Sequence, residues 1–146
     1  MKRSNVIHAS RVRIGAIGLA LSLASVAAMA DVVAVVSARS TVTTLNKGQV
    51  ADLFLGRASR FPNGVQAVPI DQVDGSVVHD EFYAKFAGKT AAQLKAYWSK
   101  IIFTGRGQPP PAVSDSIEMK RRLIANPAAI GYMERDLVDS SVRVVL

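Results

Sequence analysis

Hydrophobic positions change their period along the chain. Val32–Val36 (VVAVV) is β-branched and apolar with no polar alternation, which predicts a strand covered on both faces. The polar run SARSTVTT follows. Asn46 and Gln49 then have capping-box spacing, so a short helix starts there with Val50, Leu53 and Phe54 on its apolar face. Gly56 ends it. RASRFPNG reads as a loop because Pro62, Asn63 and Gly64 are turn formers. Ala67–Ile70 (AVPI) reads as a short strand. Pro69 cannot donate to a ladder, so it belongs at a sheet edge or a strand end.

The period then lengthens. Val78, Phe82 and Phe86 fall at i, i+4 and i+8 with Tyr83 beside them, predicting a helix from about Asp74 to Ala87 that Gly88 ends. Thr90 and Gln93 form a second capping box, ahead of a stripe of Leu94, Tyr97, Trp98, Ile101 and Ile102. TGRGQPPPA cannot continue that helix. Ser114 or Asp115 caps the next one, which carries Ile117, Leu123 and Ile124 and closes at Pro127. Ala129–Met133 and Val142–Leu146 read as final strands around a short turn or helix near Arg135–Val138. No internal repeat or low-complexity tract is visible. Strands and helices interleave, which predicts one small α/β domain, a small mixed sheet flanked by helices.

The first 30 residues stand outside this pattern. Lys2, Arg3, Arg11 and Arg13 make a basic start, no acid precedes Asp31, and Ile14–Ala30 is uncharged and mostly apolar. Ala28-Met29-Ala30 has the small-x-small form of a signal-peptidase site, so residues 1–30 read as a signal peptide cleaved before Asp31. The domain is 31–146 and its expected place is the periplasm. Charge changes accordingly. The 146 residues hold 18 basic and 11 acidic side chains, net +7. The signal removes four of the basic residues and no acid, leaving net +3. That removes most of the support for nucleic-acid binding and leaves a modest bias towards small anions. Without cysteine there is neither a lipoprotein anchor nor a disulfide, so packing alone must hold the fold.

Catalytic chemistry finds little to work with. His79 is the only histidine after the signal, which argues against zinc and leaves no second candidate for a Ser-His-Asp triad. Asp80 and Glu81 follow it at i+1 and i+2, spacings that do not face each other on a helix. No enzyme, metal or cofactor is expected. Asp74-Gly75-Ser76 opens the second helix. Residues of this kind can cap a helix, or line an anion site where its free N–H groups favour negative charge. SARST adds Arg39 and Ser40 at a strand end, where open α/β sheets place ligands. Lys120-Arg121-Arg122 reads as a solvated helix face. Phe82, Tyr83, Phe86 and Trp98 read as core.

Three stretches, in order and at matching spacing, resemble one family. "DLFLGRASRFPNG" (52–64) is similar to its Phe-x-Gly-Lys/Arg helix end. "DQVDGSVVHDEF" (71–82) is similar to its Arg-x-Asp-Gly-Ser-Gly-Thr element. "NPAAIGYM" (126–133) is similar to its Pro-Gly-Ala-Ile-Gly-Tyr strand. The family is the phosphate-binding subunits of ABC importers, type II periplasmic binding proteins. The resemblance implies a one-lobe form of that fold. It also implies an exported, non-catalytic solute-binding protein for phosphate or a similar oxyanion, working with an ABC permease. Carried over by position, the ligand residues are Gln72, where the family has Arg, and Asp74, Gly75 and Ser76. Val77 and Val78 replace the family's Gly-Thr pair. The family grips its anion between two lobes, and this chain resembles about one. Two copies in a homodimer could rebuild a cleft. The other reading is an interaction or sensor-docking module that keeps the lobe without the ligand.

Protein recovered from the cell envelope is expected to begin at Asp31. N-terminal sequencing that finds the basic segment retained would contradict the signal-peptide reading.

Overall fold

The computed structural model describes residues 30–146. The expected signal peptide, apart from Ala30, lies outside them. The order is β1 (Val32–Ser37), α1 (Lys47–Phe54), β2 (Val68–Pro69), β3 (Asp71–Gln72), α2 (Val77–Ala87), α3 (Ala91–Phe103), β4 (Ala112–Val113), α4 (Ser116–Ala125), β5 (Ala129–Glu134), a 3-10 turn (Arg135–Leu137) and β6 (Val142–Val144). The main sheet runs β2-β5-β1-β6. Its centre is antiparallel, with Val32 opposite Glu134 and Val36 opposite Ile130, and β6 is antiparallel to β1. Strand β2 is parallel to β5, so the sheet is mixed. Pro69 sits on the edge strand β2, as its missing N–H requires.

Strand β1 carries no polar alternation because both of its faces are covered. Val32, Ala34 and Val36 join Ile130 and Tyr132 under α1, α2 and α3, in a core with Phe54, Phe82, Phe86, Leu94 and Trp98. Val33 and Val35 point the other way and join Met133, Met119 and Leu123 under α4. Gly131 lets α4 approach β5. A Cβ there would lie 2.2 Å from Met119 Sδ. On the opposite face Phe82 stacks on Tyr132 at 3.9 Å between ring centroids, and Phe54 meets both rings edge-on.

Local signals place the helices. Both capping boxes form, Asn46 with Gln49 and Thr90 with Gln93. Asp115 caps α4. Three expectations change. Helix α2 begins at Val77, not near Asp74, because residues 73–76 form a turn. The loop after α3 contributes β4, which pairs with β3 in a second, two-stranded parallel sheet. The apolar residues of α3 and α4 are not all buried. Met119 and Leu123 face the core while Ile117 is 70% exposed, and α3 runs past its core contacts to leave Phe103 91% exposed. Among the described residues no helix is long and apolar enough to cross a membrane.

Trp98 packs over Gly56, whose added Cβ would lie 3.5 Å from the indole. Trp98→Ala is expected to cost about 3–5 kcal/mol by urea titration, through lost burial and a cavity. A cost below about 1 kcal/mol would contradict this assignment of the α3 face.

Candidate functional site

The site begins at β3. Asp71 is buried, its amide donating to Pro111 O at 2.8 Å. Its carboxylate accepts the Tyr83 hydroxyl at 2.6 Å on Oδ2, and the Tyr132 hydroxyl and the Gln72 amide on Oδ1. Burial pushes the Asp71 carboxyl above its ordinary value, against the opposing pull of the two tyrosine hydrogen bonds. Both phenols are held far above theirs, by burial first and by the Asp71 charge second. They are therefore fixed donors.

Next to Asp71 the chain turns. Ser76 N donates to Val73 O at 3.3 Å, and Gly75 has φ +82°. An added Cβ at Gly75 would meet nothing within 4 Å, so the backbone angle alone asks for glycine there. Ser76 Oγ accepts the His79 amide at 3.2 Å and caps α2. The amides of Val77 and Val78 lie in the first turn, ahead of any intrahelical partner. The His79 side chain is 5% exposed. Its Nδ1 lies 3.0 Å from Asp80 Oδ1 and 3.9 Å from Asp74 Oδ1, and its Nε2 lies 3.9 Å from Asp71 Oδ1. The expectation that His79 and Asp80 stand apart is thus corrected. The short Asp80 side chain turns back towards the helix start, where side chains of a helix lean.

A groove of about 290 Å³ opens here between α3 and the β3–β4 pair, with His79 the residue that α2 contributes to its lining. Asp71, Gln72, Asp74 and His79 form its polar wall, and Leu94, Trp98, Ile102, Pro109 and Pro110 its apolar one. Lys95 is the one cation on its lining.

Asp74, Gly75 and Ser76 come together on the turn, and Asp74 lines the groove. Gln72 lies beside them, but its amide faces inward. Nε2 donates to Ser116 Oγ and to Tyr132 O, both at 3.0 Å, so neither donor is directed to a ligand in this arrangement. Arg39 and Ser40 do not join the group. Arg39 donates to Ile124 O at 2.8 Å, at the far end of α4 from Ser116, and Ser40 Oγ accepts the Val42 amide. Eight residues of helix separate those two ends, roughly 12 Å at 1.5 Å per residue. Asp74, His79 and Asp80 place potential metal-ligand atoms within 4.8 Å of one another, with Asp74 exposed on the turn. Sequence reasoning missed Asp71, Tyr83 and Tyr132 as a unit. Two aromatic residues on apolar stripes give no sign that their hydroxyls share one carboxylate.

Because the Asp71 carboxyl titrates higher in the folded chain than its ordinary 3.8, its contribution is favourable below that value and is lost as pH rises through the folded pKa. Asp71→Asn is expected to flatten this part of the stability profile, measured by urea titration from about pH 3.5 to neutral. An unchanged profile would contradict the burial cost assigned to the carboxylate.

No family model and no curated protein matches the chain. Solved structures do. A candidate phosphate ABC transporter substrate-binding protein from Clostridium perfringens, with bound phosphate, aligns at TM-score 0.61 and 22% identity over 78% of this chain and 43% of its own. An ABC-type phosphate transport receptor from Vibrio cholerae aligns at TM-score 0.61 and 16% identity, over 78% and 44%. A candidate phosphate-binding protein from Planctomyces limnophilus aligns at 0.57 and 12%, over 78% and 40%. The chain spans less than half the length of each. At these identities the likeness is one of fold, and the fold is the periplasmic-binding-protein kind in a short, single-lobe form.

Proposed function

We propose that this chain is an exported, non-catalytic solute-binding lobe that takes phosphate or a similar oxyanion at the first turn of α2 and serves an ABC importer. One observation carries the reading. Asp74 of the Val73–Ser76 turn lines an open groove, the first-turn amides of Val77 and Val78 follow it in the chain, and the fold is one whose Clostridium perfringens neighbour holds phosphate. Helix N-termini favour anions through unpaired N–H groups and the helix dipole. Ser76 caps the helix and so shapes this turn. The groove lining has no arginine to supply a bidentate grip, and Asp71 and Asp74 oppose a second negative charge. Binding to one lobe is therefore weak.

One observation favours the second reading, an interaction module. The Gln72 donors are taken up inside the fold, and Phe103 at the end of α3 is 91% exposed. Under it the turn caps a helix and the lobe docks to a protein partner.

Calorimetry of the purified protein with phosphate and with sulfate separates the two. The oxyanion reading expects a Kd no tighter than about 0.1 mM, roughly 5.5 kcal/mol, weakened in Ser76→Ala. Should two copies close a cleft, affinity would rise with protein concentration. Micromolar binding to a proven monomer would contradict the half-site account. No binding at any concentration, with Ser76→Ala costing only the ~1 kcal/mol of a lost cap, would favour the interaction module.

A further inference from the structure

We propose that the groove between α3 and the β3–β4 pair holds the body of the ligand, so that the favoured solute is a singly charged organic oxyanion bearing an apolar group. The proposal rests on the oxyanion reading of the adjoining turn and names the class of ligand it takes. Four observations converge. The first is size. About 290 Å³ sits at the lower end of small-molecule sites and far exceeds what a four-oxygen ion fills. The second is chemistry. Over buried Leu94 and Trp98, the more exposed Ile102, Pro109 and Pro110 form an apolar rim that an inorganic ion would leave against water, whereas an apolar body covers it.

The third is charge. Asp71 and Asp74 line the groove, Asp80 adjoins it through His79, and Lys95 is the one cation on the lining. Each carboxylate repels a dianion about twice as strongly as a monoanion at the same distance. The fourth is His79. Its ring is nineteen-twentieths buried, Nδ1 is held by Asp80, and Nε2 has no hydrogen-bond partner among the described residues. Nε2 is thus the ring nitrogen left to meet a polar group of the ligand. The head then takes the first-turn amides of α2, and the body lies along α3 against Trp98.

Trp98 is the only tryptophan, so its emission reports on the groove. The purified protein is titrated with diphenyl phosphate and with phenylacetate, which carry one charge and an aromatic body. 2-Phenylethylamine carries the same body on a cation. Inorganic phosphate is followed by calorimetry. Both aromatic anions are expected to change the emission saturably, with half-saturation at least tenfold below that of inorganic phosphate. Ile102→Gln, a neutral polar change at a wall position 53% exposed, is expected to weaken them about tenfold and leave inorganic phosphate within twofold. Ser99→Phe, which fills the groove from the exposed side of α3, should act in the same direction.

Inorganic phosphate binding as tightly as the aromatic anions would overturn the proposal and leave the oxyanion reading standing. Aromatic anions that bind in the groove yet are indifferent to Ser76→Ala would instead remove the helix-start head site. Preference for the amine would overturn both, as would the absence of binding by any of the four. Unchanged affinities in both groove variants would place the aromatic ligands elsewhere and overturn the proposal.

Discussion

One buried carboxylate organises this end of the molecule. Asp71 has acceptors only, and it is closed off by hydroxyls from α2 and β5, with its own backbone held against the chain before β4. An ionised group taken out of water is costly unless its hydrogen bonds are restored. Tyr83 and Tyr132 restore them and in doing so fix where β3 ends. Tyr132 also accepts the Gln72 amide, and the Gln72 side chain reaches Ser116, which donates to Glu134 at 2.5 Å. Four elements are thereby joined through a short polar chain inside an otherwise apolar core. The turn at Val73–Ser76 leaves from its edge, so its position follows from the carboxylate.

The aromatic layer aims that chain. Phe82 lies flat on Tyr132, the two planes 5° apart, and Phe54 closes the remaining edges. With its ring clamped, the Tyr132 hydroxyl has one direction in which to donate. On the other side of the sheet Gly131 admits Met119, which brings α4 close enough for Ser116 to reach Gln72. A side chain at Gly131 would displace α4 and loosen the polar chain with it.

Much of the fold was legible because it rests on local rules. VVAVV announced a strand covered twice, the two capping boxes formed at the spacing that predicts them, and Pro69 sits at the edge. Pairings that depend on distant residues were not legible. Strands β3 and β4 have two residues each and lie 39 residues apart, too short for any period. Ile117, Ile102 and Phe103 look like core by hydrophobicity, and their exposure is set by where the helix ends, not by type. At the site the turn was readable from Asp74-Gly75-Ser76. The inward direction of Gln72 was not, since the donors and acceptors that hold it come from α4 and β5. Arg39 was a reasonable partner by sequence, and its guanidinium is drawn to Ile124 O near the C-terminal end of α4 by a contact 85 residues away in the chain.

The first turn of α2 is the position proposed for a small anion, and the strand-end loop reaches the C-terminal end of α4 through Arg39. Backbone amide NMR during a titration with inorganic phosphate tests that placement most directly. The account predicts shifts concentrated at Gly75, Ser76, Val77, Val78 and His79, with Arg39 and Ser40 unmoved. Shifts centred on Arg39 and Ser40, or none on the α2 turn at saturating phosphate, would contradict it.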